Sequence, residues 1–246
     1  MKIDLNCDMG ESFGQYRLGR DEAVMPLVTS ANIACGFHAG DPLVMQATVQ
    51  LAKKHNVAIG AHPGWPDLQG FGRREMSLAA DETEAVVLYQ IGALAGFARS
   101  AGLELHHVKP HGALYNQAAR DRLLAMAVAR AVKSFSADLI LVGLAGSSLV
   151  EAGSELGLQV ANEGFPDRTY NADGTLASRK QANAILQSPD EVAAHALALA
   201  QNGIDFSLRH VKVDTLCLHG DHVRAAENAR RIRAALAQEK ISVEAL

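Results

Sequence analysis

The stretch VAIGAHPGWPDLQGFGRR, residues 57–74, passes from strand to loop within a few residues. Val57 to Ala61 form a short apolar run that reads as a strand. His62 ends it, and the loop behind, with its two prolines, three glycines and only tryptophan, is long enough to cover a site. The same junction recurs along the chain. A short apolar run ends in an acid or histidine with glycine close by at Asp8/Gly10, His38/Gly40, His62/Gly64, His111/Gly112, Glu163/Gly164 and His219/Gly220.

Strands are expected at 2–8, 29–38, 57–62, 103–111, 138–143, 158–163 and 211–219, with helices over about 42–55, 81–101, 117–135, 147–156, 189–202 and 222–239. Asp41-Pro42 and Ser188-Pro189 read as helix starts, and Asn56, Gly102 and Gly203 as helix stops. Alternating strands and helices with short links mean parallel strands joined by right-handed crossovers. A standard barrel has eight strands in about 250 residues. Seven strands here predict a variant TIM-like α/β barrel, taken as one domain over 1–246 because no linker, repeat or low-complexity tract divides it.

The composition narrows the partners. A net charge of −4 with both signs interspersed argues against nucleic acid or an anionic membrane. No run reaches the roughly 18 apolar residues of a membrane span. The N-terminus meets an acid at Asp4 and does not read as a signal peptide. Three widely spaced cysteines, Cys7, Cys35 and Cys217, point to a reduced, cytoplasmic protein.

Catalytic groups of parallel α/β folds gather at the C-terminal strand ends. The candidates are therefore Asp8, His38, His62, His111, Glu163 and His219, with Asn6 on the face of β-alternation that Asp4 and Asp8 share. Asp4 reads as a structural hydrogen-bonding group. Lys109 shares a face with His111, and a lysine inside a barrel needs an anionic partner or ligand. His106 and His107 face opposite ways and read as structural, while His55, His195, His210 and His222 read as surface or packing residues. Converging acids and histidines suit metal-assisted hydrolysis or metal-free acid–base catalysis, and the residues leave both open. The Asp-x-Asn-x-Asp at 4–8 lies on a strand without the distal glutamate of a calcium loop. No HExxH, P-loop, GxSxG or CxxC occurs.

At these residues the sequence resembles the LamB/YcsF family. The matching segments are DLNCDMGESFG (4–14), NIACGFHAGDP (32–42), IGAHPGWPDLQGFGRR (59–74), VKPHGALYN (108–116), NEGFPDRTY (162–170) and LCLHGD (216–221). The resemblance implies a seven-stranded barrel of glycoside hydrolase/deacetylase type. It also implies ATP-dependent opening of 5-oxo-L-proline to L-glutamate by an enzyme with partner subunits B and C. On that reading Asp8 or Glu163 activates water, and His62, His111 or His219 protonates the ring nitrogen or stabilises charge. Asn6, His38, Lys109 and Arg168 bind substrate, and ATP is used by the complex. Two alternatives compete: a metal-dependent deacetylase-like hydrolase holding a divalent ion, and a non-catalytic binding subunit.

Overall fold

A computed structural model describes residues 1–177, 181, 183–206, 209–218, 220 and 224–246. Its strands are β1 (Lys2–Met9), β2 (Ser30–Ala34), β3 (Ala58–His62), β4 (His107–Val108), β5 (Ile140–Leu144), β6 (Val160–Gly164), β7 (Ile204–Phe206), β8 (Arg209–Val211), β9 (Thr215–Leu218) and β10 (Ser242–Val243). The helices are α1 (Asp21–Val24), α2 (Pro42–His55), α3 (Ala80–Ser100), α4 (Gly112–Ala118), α5 (Arg122–Phe135), α6 (Ser148–Glu155), α7 (Pro189–Asn202) and α8 (Ala225–Gln238). Seven parallel strands close in the order β1-β2-β3-β4-β5-β6-β9, with β9 pairing back to β1. The expected variant barrel is the fold.

Alternation along β1 sorts its side chains. Ile3, Leu5, Cys7 and Met9 join the hydrophobic core between barrel and helices, whereas Asp4, Asn6 and Asp8 enter the lumen network. Ile33, Ile59, Leu141 and Leu216 supply the same outer layer from neighbouring strands and are all buried. At roughly 25 cal/mol per Å² of apolar surface, this layer provides most of the driving force for folding. The lumen is different: its polar groups stabilise only through their mutual hydrogen bonds.

Several boundaries differ from the sequence expectation for local reasons. The strand expected over 103–111 shrinks to His107–Val108, yet His106 N and Lys109 N still donate to Ile59 O and Ala61 O, at 2.8 and 2.9 Å. The contact continues past Pro110, with His111 N donating to Pro63 O at 2.8 Å, outside regular strand geometry. The helix expected over 117–135 is split because Asp121 caps α5, accepting from the Leu123 and Leu124 amides. The strand expected from 211 begins at Thr215; Arg209–Val211 instead pairs antiparallel with Ile204–Phe206 outside the barrel. A further strand, β10, adds to β1 beside Lys2 and Ile3. Among the described residues, no helix is long and apolar enough to cross a membrane.

Candidate active site

The lumen is a layered polar network. At its floor, Asp4 accepts hydrogen bonds from Thr29 and Ser30 at 2.7 Å each and from Thr215. Above it, Asn6 donates to Glu163 at 3.0 Å and to Thr215 at 2.6 Å, while Asn32 donates to Asn6 at 2.7 Å and to Asp8 at 2.9 Å. His107 enters from β4 and donates from Nε2 to Asn32 at 2.7 Å. Gly60 makes the room: a Cβ there would lie 2.2 Å from the His107 ring. Asp4 and His107 are thus both held within the lumen hydrogen-bond network.

Lys109 organises the upper layer. Its Nζ is 3.0 Å from Asp8, 2.8 Å from Glu163, 3.3 Å from Asn6 Oδ1 and 3.0 Å from Cys217 Sγ. The anionic partners this lysine requires are protein carboxylates. Burial alone would lower its pKa, but Asp8 and Glu163 outweigh that and hold it well above the usual lysine value. Burial likewise pushes the Asp8 carboxyl up, yet His62 and Lys109 outweigh it and bring it well below the ordinary carboxylate range. Glu163 is fully buried and also accepts from Tyr115 Oη at 2.7 Å. The Asp8 side chain keeps 16% of its surface exposed. It lies at the base of a cleft of about 710 Å³ whose lining includes His62, Lys109, His111, Arg73 and Arg168.

Beside Asp8 stand three histidines and a glutamate. His62 Nε2 is 3.4 Å from Asp8 and 3.0 Å from His111 Nδ1. The His38 ring stacks on His111 with centroids 3.8 Å apart and planes 3° from parallel. Burial, reinforced by the neighbouring histidines, lowers the His38 pKa well below its usual value, and burial brings His111 down to about 3. Glu11 points at both, 3.8 Å from His38 Nε2 and 3.6 Å from His111 Nδ1. Glu11, His38, His62 and His111 are all buried, and one donor atom from each falls within 4.8 Å of the others, so the group could hold a metal ion.

Two loops hold this cluster in place. Glu11 rides on a loop pinned by Gly10 N donating to Asp21 and Gly14 N donating to Asp41, both at 2.8 Å. The 63–74 loop is anchored by helices: Gln90 exchanges two 2.9 Å hydrogen bonds with the Gly64 backbone, and Trp65 donates to Gln117 at 2.7 Å. Within it Asp67 accepts from the Gly70 amide and the Arg74 guanidinium, and the Arg74 bond holds its carboxyl at about 2. Gly72, at φ +63°, packs so closely that a Cβ would lie 2.7 Å from His38 and 2.9 Å from His111.

Of the residues singled out from sequence, Asn6, Asp8, His38, His62, Lys109, His111 and Glu163 converge on this region. Arg168 lines the cleft, and its guanidinium donates to the carbonyls of Ala177 and Ala184 in its own loop. His219 lies outside the described residues, as does His222. His195 and His210 make local bonds to Pro166 and Asp205, consistent with packing and surface roles. Glu11, Tyr115 and Asn32 were not expected. Glu11 carried a signal, being a carboxylate beside Gly10 just past a strand end, whereas Tyr115 lies on a helix and nothing local marks it.

Residues 3–246 match the LamB/YcsF family. The chain is 55% identical over 249 residues to the 5-oxoprolinase A subunit of Tolumonas auensis, covering 100% of this chain and 99% of that protein. It is also similar to the crystal structure of a lactam utilization protein from Thermus thermophilus, with a TM-score of 0.93, 50% identity and complete coverage of both chains. The catalytic domain of a peptidoglycan N-acetylglucosamine deacetylase from Eubacterium rectale shares the fold alone, at a TM-score of 0.53 and 9% identity, covering 99% of this chain and 87% of that one.

Proposed function

The chain belongs to the LamB/YcsF family, and from that premise we propose that it is the ring-opening subunit of an ATP-dependent 5-oxoprolinase. The observation that carries this reading is the Asp8–Lys109–Glu163 triad at the base of the cleft. Asp8 is its solvent-reaching carboxylate; Glu163 is sealed beneath by Lys109, Asn6 and Tyr115. A five-membered lactam is a resonance-stabilised amide, so its opening needs activation. In the proposed division, partner subunits B and C use ATP to phosphorylate the lactam oxygen, giving an imidate that this chain hydrolyses.

Water adds to the activated carbon and gives its proton to Asp8, the carboxylate that reaches the cleft. The ring nitrogen takes up a proton and leaves as the amine, which breaks the C–N bond. The acyl phosphate left behind is cleaved by a second water to glutamate and inorganic phosphate. Lys109, held cationic, lies beside Asp8 and supplies fixed positive charge where negative charge develops. Arg168 and Arg73 on the cleft wall suit a substrate carboxylate or phosphate. His38 is fully buried and stacks on His111. Three free, buried thiols fit a reducing cytoplasmic setting.

The test is glutamate formation from 5-oxoproline and ATP with this chain alone, the partner subunits alone, and the full mixture. Activity is expected in the mixture only. Asp8→Asn is expected to lower it by about 10²–10⁴-fold, the usual worth of a positioned acid–base group. Full activity of the partners without this chain would overturn the assignment. A second reading, a metal-dependent hydrolase acting on N-acetyl groups, is favoured by the Glu11–histidine cluster. Release of acetate from N-acetylated sugars by this chain alone would select it.

A further inference from the structure

The histidine cluster makes a demand its own protons do not meet. His62 Nδ1 is 2.7 Å from the Lys109 carbonyl oxygen, and His111 Nε2 is 2.9 Å from the Phe71 carbonyl oxygen. A carbonyl has no proton to give, so each of these nitrogens carries the ring hydrogen. The other nitrogens, His62 Nε2 and His111 Nδ1, then present lone pairs, and they face each other at 3.0 Å. Lone pairs that close repel unless an electrophile lies between them. His38, fully buried and stacked on His111, has neither ring nitrogen hydrogen-bonded among the described residues. A proton shared by His62 and His111 would satisfy those two rings and leave His38 without a role.

We propose that Glu11, His38, His62 and His111 bind one divalent transition-metal ion of the zinc class. Metal–nitrogen bonds of about 2.0–2.1 Å in a tetrahedron put donors about 3.3–3.4 Å apart. The separations here are 3.0 Å for His62–His111, 3.6 Å for Glu11–His111 and 3.8 Å for Glu11–His38. Shifts of a few tenths of an ångström bring these three pairs to ligating distance, and because His38 stacks parallel on His111, its ring must also turn to aim a nitrogen at the shared ion. Three imidazoles and one carboxylate suit zinc, cobalt, nickel or ferrous iron; magnesium and calcium prefer oxygen donors. The carbonyls of Lys109 and Phe71 are the outer partners that fix the tautomer of ligating histidines. Bound there, the ion stands next to Asp8, which is 3.4 Å from His62 Nε2. The inference concerns binding and holds whichever hydrolytic substrate the cleft takes.

The experiment is calorimetric titration of tag-free, chelator-stripped protein with zinc, cobalt and magnesium chlorides, with cobalt also followed by visible absorption. One zinc or cobalt per chain is expected with Kd below about 1 μM, a four-coordinate cobalt spectrum, and no saturation by magnesium. Glu11→Gln and His38→Ala should each weaken zinc at least tenfold while circular dichroism stays native. The wild-type stoichiometry decides the matter even if a variant does not fold. Absence of stoichiometric zinc or cobalt binding overturns the proposal, as does unchanged affinity in both folded variants. So does a nitrogen-15 spectrum of the protein, recorded with zinc added, that still shows one proton shared by His62 and His111. The glutamate assay is a separate readout, so failure of the ring-opening reading would leave this result standing.

Discussion

Lys109 shows how much rests on one residue. It is buried and balances two carboxylates, Asp8 at 3.0 Å and Glu163 at 2.8 Å. An ion pair at the surface contributes at most about 1 kcal/mol, but removing one member of a buried set leaves the others charged and poorly solvated. Lys109→Met is therefore expected to destabilise the chain by about 3–5 kcal/mol in urea unfolding. Adding Glu163→Gln should restore part of that loss. If the double variant is less stable than Lys109→Met alone, Glu163 does not depend on the lysine for its charge balance. The residue types and their alternation were legible in the sequence. The identity of the lysine's partners was not, because Asp8 and Glu163 approach it only across the barrel.

At the scale of elements, helix starts and strand alternation were readable because they depend on neighbours a few residues apart. Asp41 accepts from the Leu43 and Val44 amides at 2.9 and 3.0 Å, and Pro42 follows at the first helical position. The same carboxylate also holds Gly14 N on the loop that carries Glu11. Asp41→Ala should cost about 1 kcal/mol through loss of the cap, measured by thermal or urea unfolding. It should also weaken zinc binding modestly, whereas Asp121→Ala, which removes the matching cap of α5, should leave zinc affinity unchanged. Equal effects of the two on zinc would sever the link between the α2 cap and the Glu11 loop. Elements shorter than the pattern that signals them were misjudged. β4 is only two residues long, and β7–β8 was not expected at all, only Val211 of it falling within the strand expected from 211.

For the whole molecule, closure is the defining event. β1 is hydrogen-bonded on both sides, to β2 and to β9, so its pairing with each depends on the barrel being complete. Amides of Asn6, Cys7 and Asp8 are expected among the slowest to exchange with deuterium, needing global opening, and those of β8 among the fastest. Comparable rates in the two segments would mean that β1 opens without the barrel. Closure also explains why polar residues can fill the lumen. Groups such as Asp4, Asn32 and His107 meet partners on other strands that no single element offers.

The order of residues along the chain is enough to give the alternation of strands and helices, the count of seven parallel strands, and the strand-end placement of Asp8, His62, His111 and Glu163. Each follows from periodicity, capping and glycine placement, which are local. Tertiary packing alone seals Glu163 and leaves Asp8 open to the cleft. It alone brought Glu11 against His38 and His111 and turned two imidazole lone pairs toward each other. Those facts depend on through-space distances between residues far apart in the chain, and burial, charge balance and tautomer are set by what lies across the barrel.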